Sequence, residues 1–124
     1  MMDFATGRIL RLGPVDVSTV EAQILTLLMD GEQVFLAFKG GRDFVVFTDK
    51  RIIAVDVQGI RGNKKDYTSL PYKKIQAFSV ETAGTFDLDS ELDLWFSGAG
   101  LVKFEFKGQV DVAYLSKLIG FYVL

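Results

Sequence analysis

From Val34 to Lys107 the apolar positions recur mostly at every second residue, in short runs separated by glycine or polar turns. That is the pattern of antiparallel strands with one buried face. Val34, Leu36 and Phe38 alternate with Phe35, Ala37 and Lys39, and Gly40-Gly41 turns the chain. Two denser runs, Phe44–Phe47 and Ile52–Val57, flank the polar group Thr48-Asp49-Lys50-Arg51. β-Branched and aromatic runs around a polar turn predict a hairpin. Asp49 suits the turn because its carboxylate accepts from nearby backbone N–H groups.

Gln58-Gly59 and Arg61-Gly62-Asn63 predict the next turn, and Lys64 to Leu70 a short polar strand. Pro71 lacks an N–H and should end that strand or sit at an edge. Ile75 to Thr82 alternates again, with Phe78 and Val80 on one face, and Gly84 to Ser90 reads as a loop. The last hairpin is the clearest. Leu92, Leu94 and Phe96 share one face with Val102, Phe104 and Phe106, while Asp93, Trp95, Lys103 and Glu105 take the other. With Gly98-Ala99-Gly100 as the turn, Ser97 lies opposite Leu101, Leu94 opposite Phe104, Phe96 opposite Val102 and Trp95 opposite Lys103.

The period changes at both ends. Asp16 to Asp30 predicts a helix with a capping box at Ser18 and Glu21, one stripe of Val17, Val20, Ile24, Leu27 and Leu28, and Gly31 as its stop. That stripe either packs on the domain's own sheet or forms a subunit contact. Val110 to Tyr122 predicts a second helix with two apolar stripes, one of Val112, Leu115, Ile119 and Tyr122, the other of Val110, Tyr114, Leu118 and Phe121. A helix apolar most of the way round is expected to be buried on more than one side. Residues 1–14 show no clear periodic element; Asp3, Arg8, Arg11 and Pro14 do not suit a secretory signal.

Composition narrows the chemistry. A chain of 124 residues suffices for one core without metal or disulfide support. It holds no Cys and no His, which excludes zinc sites built on those ligands and any nucleophile activated by His. The formal net charge of -2 gives no global attraction to nucleic acid or to an anionic membrane. A mean hydropathy of +0.26 and 11 Phe point to apolar surface covered by another copy or a partner. No apolar run reaches 18 residues, so no membrane-spanning helix is expected. Cytoplasm is the default location.

Local chemistry is thin. The acidic run Asp87-Leu88-Asp89-Ser90-Glu91 starts like a calcium loop, but its sixth position is Leu92 where Gly is needed and its twelfth is Gly98 where Glu is needed. Neither phosphate-binding glycine motif occurs. No catalytic residue, cofactor or metal ligand is assigned. The basic residues Lys39, Arg42, Lys50, Arg51, Arg61, Lys64 and Lys65 fall in or beside turns and look scattered. They are the weak candidates for an anionic ligand. Trp95, on the polar face of its strand, is the candidate anchor of an interface, with Val20, Ile24, Leu27 and Leu28 beside it as further interface candidates.

Three stretches, TDKRII (Thr48–Ile53), LPYKKI (Leu70–Ile75) and ETAGTFDLDSEL (Glu81–Leu92), resemble a family of bacterial pleckstrin-homology-like domains over residues 33–122. The resemblance implies a mainly β fold: a PH-like barrel or sandwich, here of about seven antiparallel strands capped by a C-terminal helix. Residues 1–31 would be an extra N-terminal helical extension and 32–124 the PH-like core of a single domain. One departure stands out. Eukaryotic PH domains carry a Trp in the C-terminal helix, whereas the single Trp here is Trp95, in a strand. The resemblance also implies a non-catalytic binding and scaffolding module that forms homo-oligomers, ring-shaped in that family. An outside protein partner fits the same role. Nucleic acid and a membrane surface are not expected as partners. The alternative reading is a phospholipid headgroup or other anionic ligand at the inter-strand loops, because PH domains that bind inositol phosphates place basic residues at the first such loop, where Lys39 and Arg42 stand.

Overall fold

The polar groups at Gly41 and at Asp49-Lys50 close two successive hairpins, as the alternation predicts. The computed structural model describes residues 10–86 and 88–124. The opening stretch up to residue 9, and Asp87 of the acidic run, lie outside the described residues. Contacts divide the described chain into two compact units, residues 14–71 and residues 10–13 with 72–124.

The first unit is an antiparallel meander of β2 (Val34–Gly40), β3 (Asp43–Thr48), β4 (Arg51–Gln58) and β5 (Lys64–Pro71). Phe44 to Phe47 and Ile52 to Val55 are apolar without interruption, and every one of them is buried. Continuous apolar runs of this kind mark strands buried on both faces. On one face Ala37, Phe44, Val46, Ile53 and Val55 form a cluster with Val20 and Ile24. On the other, Phe38 meets Phe47 edge to face with ring centroids 5.7 Å apart. The N-terminal stripe therefore packs on its own sheet.

The helix that carries this stripe is shorter and more broken than its spacing predicts. A 3-10 turn at Val17–Thr19 leads into α1 (Glu21–Ile24), and a second 3-10 turn follows at Leu25–Leu27. The cap is Asp16 rather than Ser18: its carboxylate accepts from the Ser18 backbone N–H at 2.9 Å and from the Ser18 hydroxyl at 2.8 Å. Val17, Thr19 and Val20 are β-branched and lose side-chain freedom in a helix. Val20 leaves helical geometry, at φ -121° and ψ -9°. Burying Val20 and Ile24 takes precedence over an unbroken helix.

The second unit holds β6 (Ile75–Glu81), β7 (Ser90–Phe96) and β8 (Gly100–Phe106) as an antiparallel ladder, with β1 (Leu10–Val15) starting parallel to β8. β1 was not expected, so the described residues contain eight strands. Leu10 pairs with Phe104 and Leu12 with Phe106. The last hairpin has the expected faces but a different register. Its loop is Ser97-Gly98-Ala99, so Phe96 pairs with Gly100, Trp95 with Leu101, Leu94 with Val102 and Asp93 with Lys103. Gly98 and Gly100 supply the positive φ (88° and 84°) that closes so short a loop.

The C-terminal helix α2 (Val112–Val123) begins where the Asp111 carboxylate accepts from the Tyr114 N–H at 3.0 Å. Val112, Leu115 and Ile119 are buried, and Tyr122 stacks on Tyr72 with ring centroids 4.9 Å apart. The other stripe is only partly covered: Tyr114 and Phe121 are exposed, Phe121 at 78%, while Val110 and Leu118 are half-buried. The expectation of burial on several sides fails because, among the described residues, the strands that α2 packs on, β6 and β7, lie on one side of it.

Candidate interaction surfaces

Arg51 begins β4, directly after the β3–β4 turn, and its guanidinium does not face outward. Nε and Nη2 donate to the Glu32 carboxylate, each at 3.0 Å; Nη2 also reaches the Leu27 carbonyl at 2.7 Å, and Nη1 the Ser69 hydroxyl at 2.9 Å. The Glu32 side chain is fully buried. It accepts further hydrogen bonds from the Thr48 hydroxyl at 2.7 Å and the Met29 N–H at 3.0 Å. Burial alone would push the Glu32 carboxyl up. The donors from Arg51, Thr48 and Met29, with the Arg51 charge, outweigh burial and hold it down at about 2. The network ties the N-terminal segment to the central hairpin. Glu32 stands in no motif or periodic pattern, so no signal in the sequence marks it.

The opposite end of the same meander is built differently. The β2–β3 turn and the β4–β5 turn fall together there, because alternate turns of a meander share an end. Arg42 Nη1 donates to the Gly59 carbonyl at 2.6 Å and joins the two turns. Lys39, Arg42, Arg61, Lys64 and Lys65 are all exposed around this end, and Ile60 at the tip is fully exposed.

In the second unit the outward face of the ladder reads in cross-strand rows. Glu81, Glu91 and Glu105 lie side by side on β6, β7 and β8, with Arg11 of β1 next in line. Like charges directly opposite one another repel. Arg11 relieves the row by bonding Asp89 at 2.6 Å and Glu105 at 3.0 Å, and Lys103 lies 3.4 Å from Glu91 and 3.6 Å from Asp93. The hydrogen bond from Arg11 holds the Asp89 carboxyl below its ordinary range. At the far end of this face Trp95 sits between Ala77 and Leu101. Trp95 is 48% and Leu101 40% exposed. The expected pairing of Trp95 with Lys103 does not form, because the shorter loop moves Lys103 opposite Asp93, where two carboxylates hold its ammonium.

A family model for the bacterial PH domain matches residues 3–123. This chain belongs to the bacterial PH domain family. The uncharacterized protein YjqA of Bacillus subtilis (strain 168) is 46% identical over 120 residues, spanning 95% of this chain and 96% of its own. A crystal structure of a protein with a pleckstrin-homology domain from Shewanella loihica PV-4 is similar at 41% identity. It has a TM-score of 0.79 and covers 93% of this chain and 99% of that one. A pleckstrin homology domain from Shewanella amazonensis SB2B is similar at 47% identity and a TM-score of 0.67, covering 89% and 90%.

In this bacterial PH domain the seven basic candidates divide. Five gather at the loop end of the meander. Lys50 is exposed at the opposite end, and Arg51 is committed to Glu32. The interface candidates divide too. Val20 and Ile24 are completely buried in the core and offer no surface; Leu28 packs against that core and is half-buried, and Leu27 and Trp95 remain exposed. No helix among the described residues is long and apolar enough to cross a membrane.

Proposed function

We propose that this bacterial PH domain is a non-catalytic binding and scaffolding module that self-associates into a homo-oligomer. The observation that carries the reading is the partly uncovered apolar stripe of α2, where Tyr114 and Phe121 are exposed beside half-buried Leu118, with the exposed Leu124 directly after the helix. Contiguous exposed apolar surface marks association. Trp95 and Leu101 add a second apolar pair, and Trp is enriched among residues that dominate interfaces. A ring-shaped assembly follows if the contact is head to tail and closes on itself. Light scattering at tens of micromolar should give a mass well above the 13.8 kDa of one chain; a monomer mass there removes the reading. Trp95→Ala, checked for folding by circular dichroism, should scatter at a lower mass than the wild type. An unchanged mass takes Trp95 out of the self-contact and leaves it for an outside partner.

A second reading, anion binding at the loop end, is favoured by the gathering there of Lys39, Arg42, Arg61, Lys64 and Lys65.

A further inference from the structure

We infer that the outward face of the β6–β7–β8 ladder, at the end where β6 crosses to β7, docks a basic amphipathic helix of another protein. This rests on the binding and scaffolding reading and gives the outside partner its chemistry.

Glu81, Glu91, Asp93 and Glu105 take outward positions on these strands, and Lys103 is the one cation among those positions. Lys103 divides its ammonium between Glu91 and Asp93, and Glu81 has no ion pair among the described residues. The row Glu81–Glu91–Glu105 therefore sets like charges opposite one another on paired strands, which costs stability. Arg11 offsets this at one end only, through Glu105 and Asp89. Local rules are broken in this way where a surface has work to do. Other observations fall at the same end. A shallow concavity of about 130 Å³ is lined by Glu81, Asp89, Ser90, Glu91 and Glu105. Ser90 is 3% exposed, yet its hydroxyl has no hydrogen-bond partner, and neither has Oδ1 of Asp93. Buried polar atoms are otherwise paired. In the connection from β6 to β7, Phe86 is fully exposed and Leu88 is 55% exposed. A single exposed apolar residue is ordinary. Two of them, directly before Asp89 in the chain, set an apolar edge beside an acidic row.

The chemistry of the face selects its occupant. Its charge repels an anionic bilayer and the phosphates of nucleic acid. No group of three or more acids among the described residues is placed to hold a metal ion. A small amine would gain nothing from Phe86. A protein segment with ammonium or guanidinium groups beside apolar ones matches both halves of the surface, and the spacing favours a helix. Adjacent strands lie about 4.8 Å apart, so the carboxylates of one row recur at about that interval. A helix advances about 5.4 Å per turn. Lying across the strands, it brings one basic residue per turn, at i, i+4 and i+7, over β6, β7 and β8 in succession. Alternate residues of an extended segment are about 6.7 Å apart and fall out of step. Apolar residues on the adjoining face of the helix then meet Leu88 and Phe86, as in other helix-docking surfaces read through anchors at this spacing. Trp95 stands about 13 Å along β7 from Glu91, so the self-contact remains free.

The test is calorimetry of the full chain with a helix-forming peptide of about 18 residues, with one lysine per turn on one face and leucines on the next. A peptide of the same composition with its lysines scattered round the helix, and spermine, serve as controls. Saturable binding of the first peptide, weakened by salt, is expected, with both controls weaker by roughly tenfold or more. Glu81→Gln with Glu91→Gln should weaken it by roughly tenfold or more, and Phe86→Ser by roughly tenfold. Glu21→Gln with Asp30→Asn removes the same charge from exposed positions of the first unit and should leave binding unchanged. Glu81→Gln alone should also keep or raise the thermal midpoint, because it relieves the row; a purely structural acid would lower it. No binding of the first peptide overturns the proposal, as does equal binding of the scattered peptide or of spermine. Binding indifferent to the Glu81 and Phe86 variants overturns it too, and so does an equal loss in the Glu21 variant, which would leave net charge alone at work. Light scattering on the same samples keeps the two readings apart. Failed binding with an intact oligomer mass removes the helix partner and keeps self-association; a monomer that binds the peptide does the reverse.

Discussion

Glu32→Ala is expected to lower the unfolding free energy by roughly 3–5 kcal/mol, the range for leaving one partner of a buried ion pair alone. The Glu32 side chain has no exposure, and its carboxylate takes four hydrogen bonds from Met29, Thr48 and Arg51. Removing it strands the Arg51 guanidinium, which is itself largely covered, and frees the Thr48 hydroxyl and the Met29 N–H. The pH dependence follows from the same contacts. The folded-state value of about 2 lies below the ordinary 4.5. The carboxylate therefore contributes its full stabilisation above the unfolded value and loses it as pH falls from about 4.5 towards about 2. A shift of this size corresponds to roughly 3 kcal/mol. Urea titrations of the wild type should show that loss across the window. Glu32→Gln should start less stable at neutral pH and lack the Glu32 part of the acid slope. Parallel pH profiles for the two proteins would show that Glu32 is not held ionised by this network.

Phe104→Ala should cost about 3–5 kcal/mol, the usual range for emptying a buried aromatic site. Phe104 is completely buried on β8, paired with Leu92 of β7 on one side and Leu10 of β1 on the other. The paired strands on both sides fix the backbone, which limits how far the emptied site can collapse. Against a total stability of 5–15 kcal/mol for an ordinary domain, this is a large fraction. Ser79→Ala, on the exposed outward face of β6 in the same ladder, should leave the thermal midpoint close to wild type. Similar shifts for the two variants would contradict the assignment of faces.

Alternation in the sequence was enough to assign those faces. It was not enough to set the register of the last hairpin. A slip of one residue would have turned Phe104 to solvent, so that error is ruled out by pattern alone. A slip of two leaves every side chain on its face and is invisible to periodicity. Where Ser97-Gly98-Ala99 closes the loop decides it, and that moves Lys103 from Trp95 to Asp93. β1 escaped detection for a related reason. Its stretch LRLGPV offers two alternating leucines before Gly13 and Pro14 interrupt, and it becomes a strand by pairing with β8, far along the chain.

The sequence by itself determined the mainly β class, the two dense apolar strands at the centre, the C-terminal helix and the absence of His and Cys chemistry. Each depends on local period or on composition, and both survive without knowledge of distant contacts. Tertiary structure decided what the surface offers. Lys39 and Arg42 meet Arg61, Lys64 and Lys65 only because alternate turns of a meander fall at one end, while Arg51, one residue after Lys50, is drawn inward by Glu32. Val20 and Ile24 lie in the core because a sheet face needs covering, and Phe121 lies outside because α2 has only one face to cover. Residue type sets what a side chain can do; whether a charge or an apolar group is free to do it depends on partners that the chain brings together only on folding.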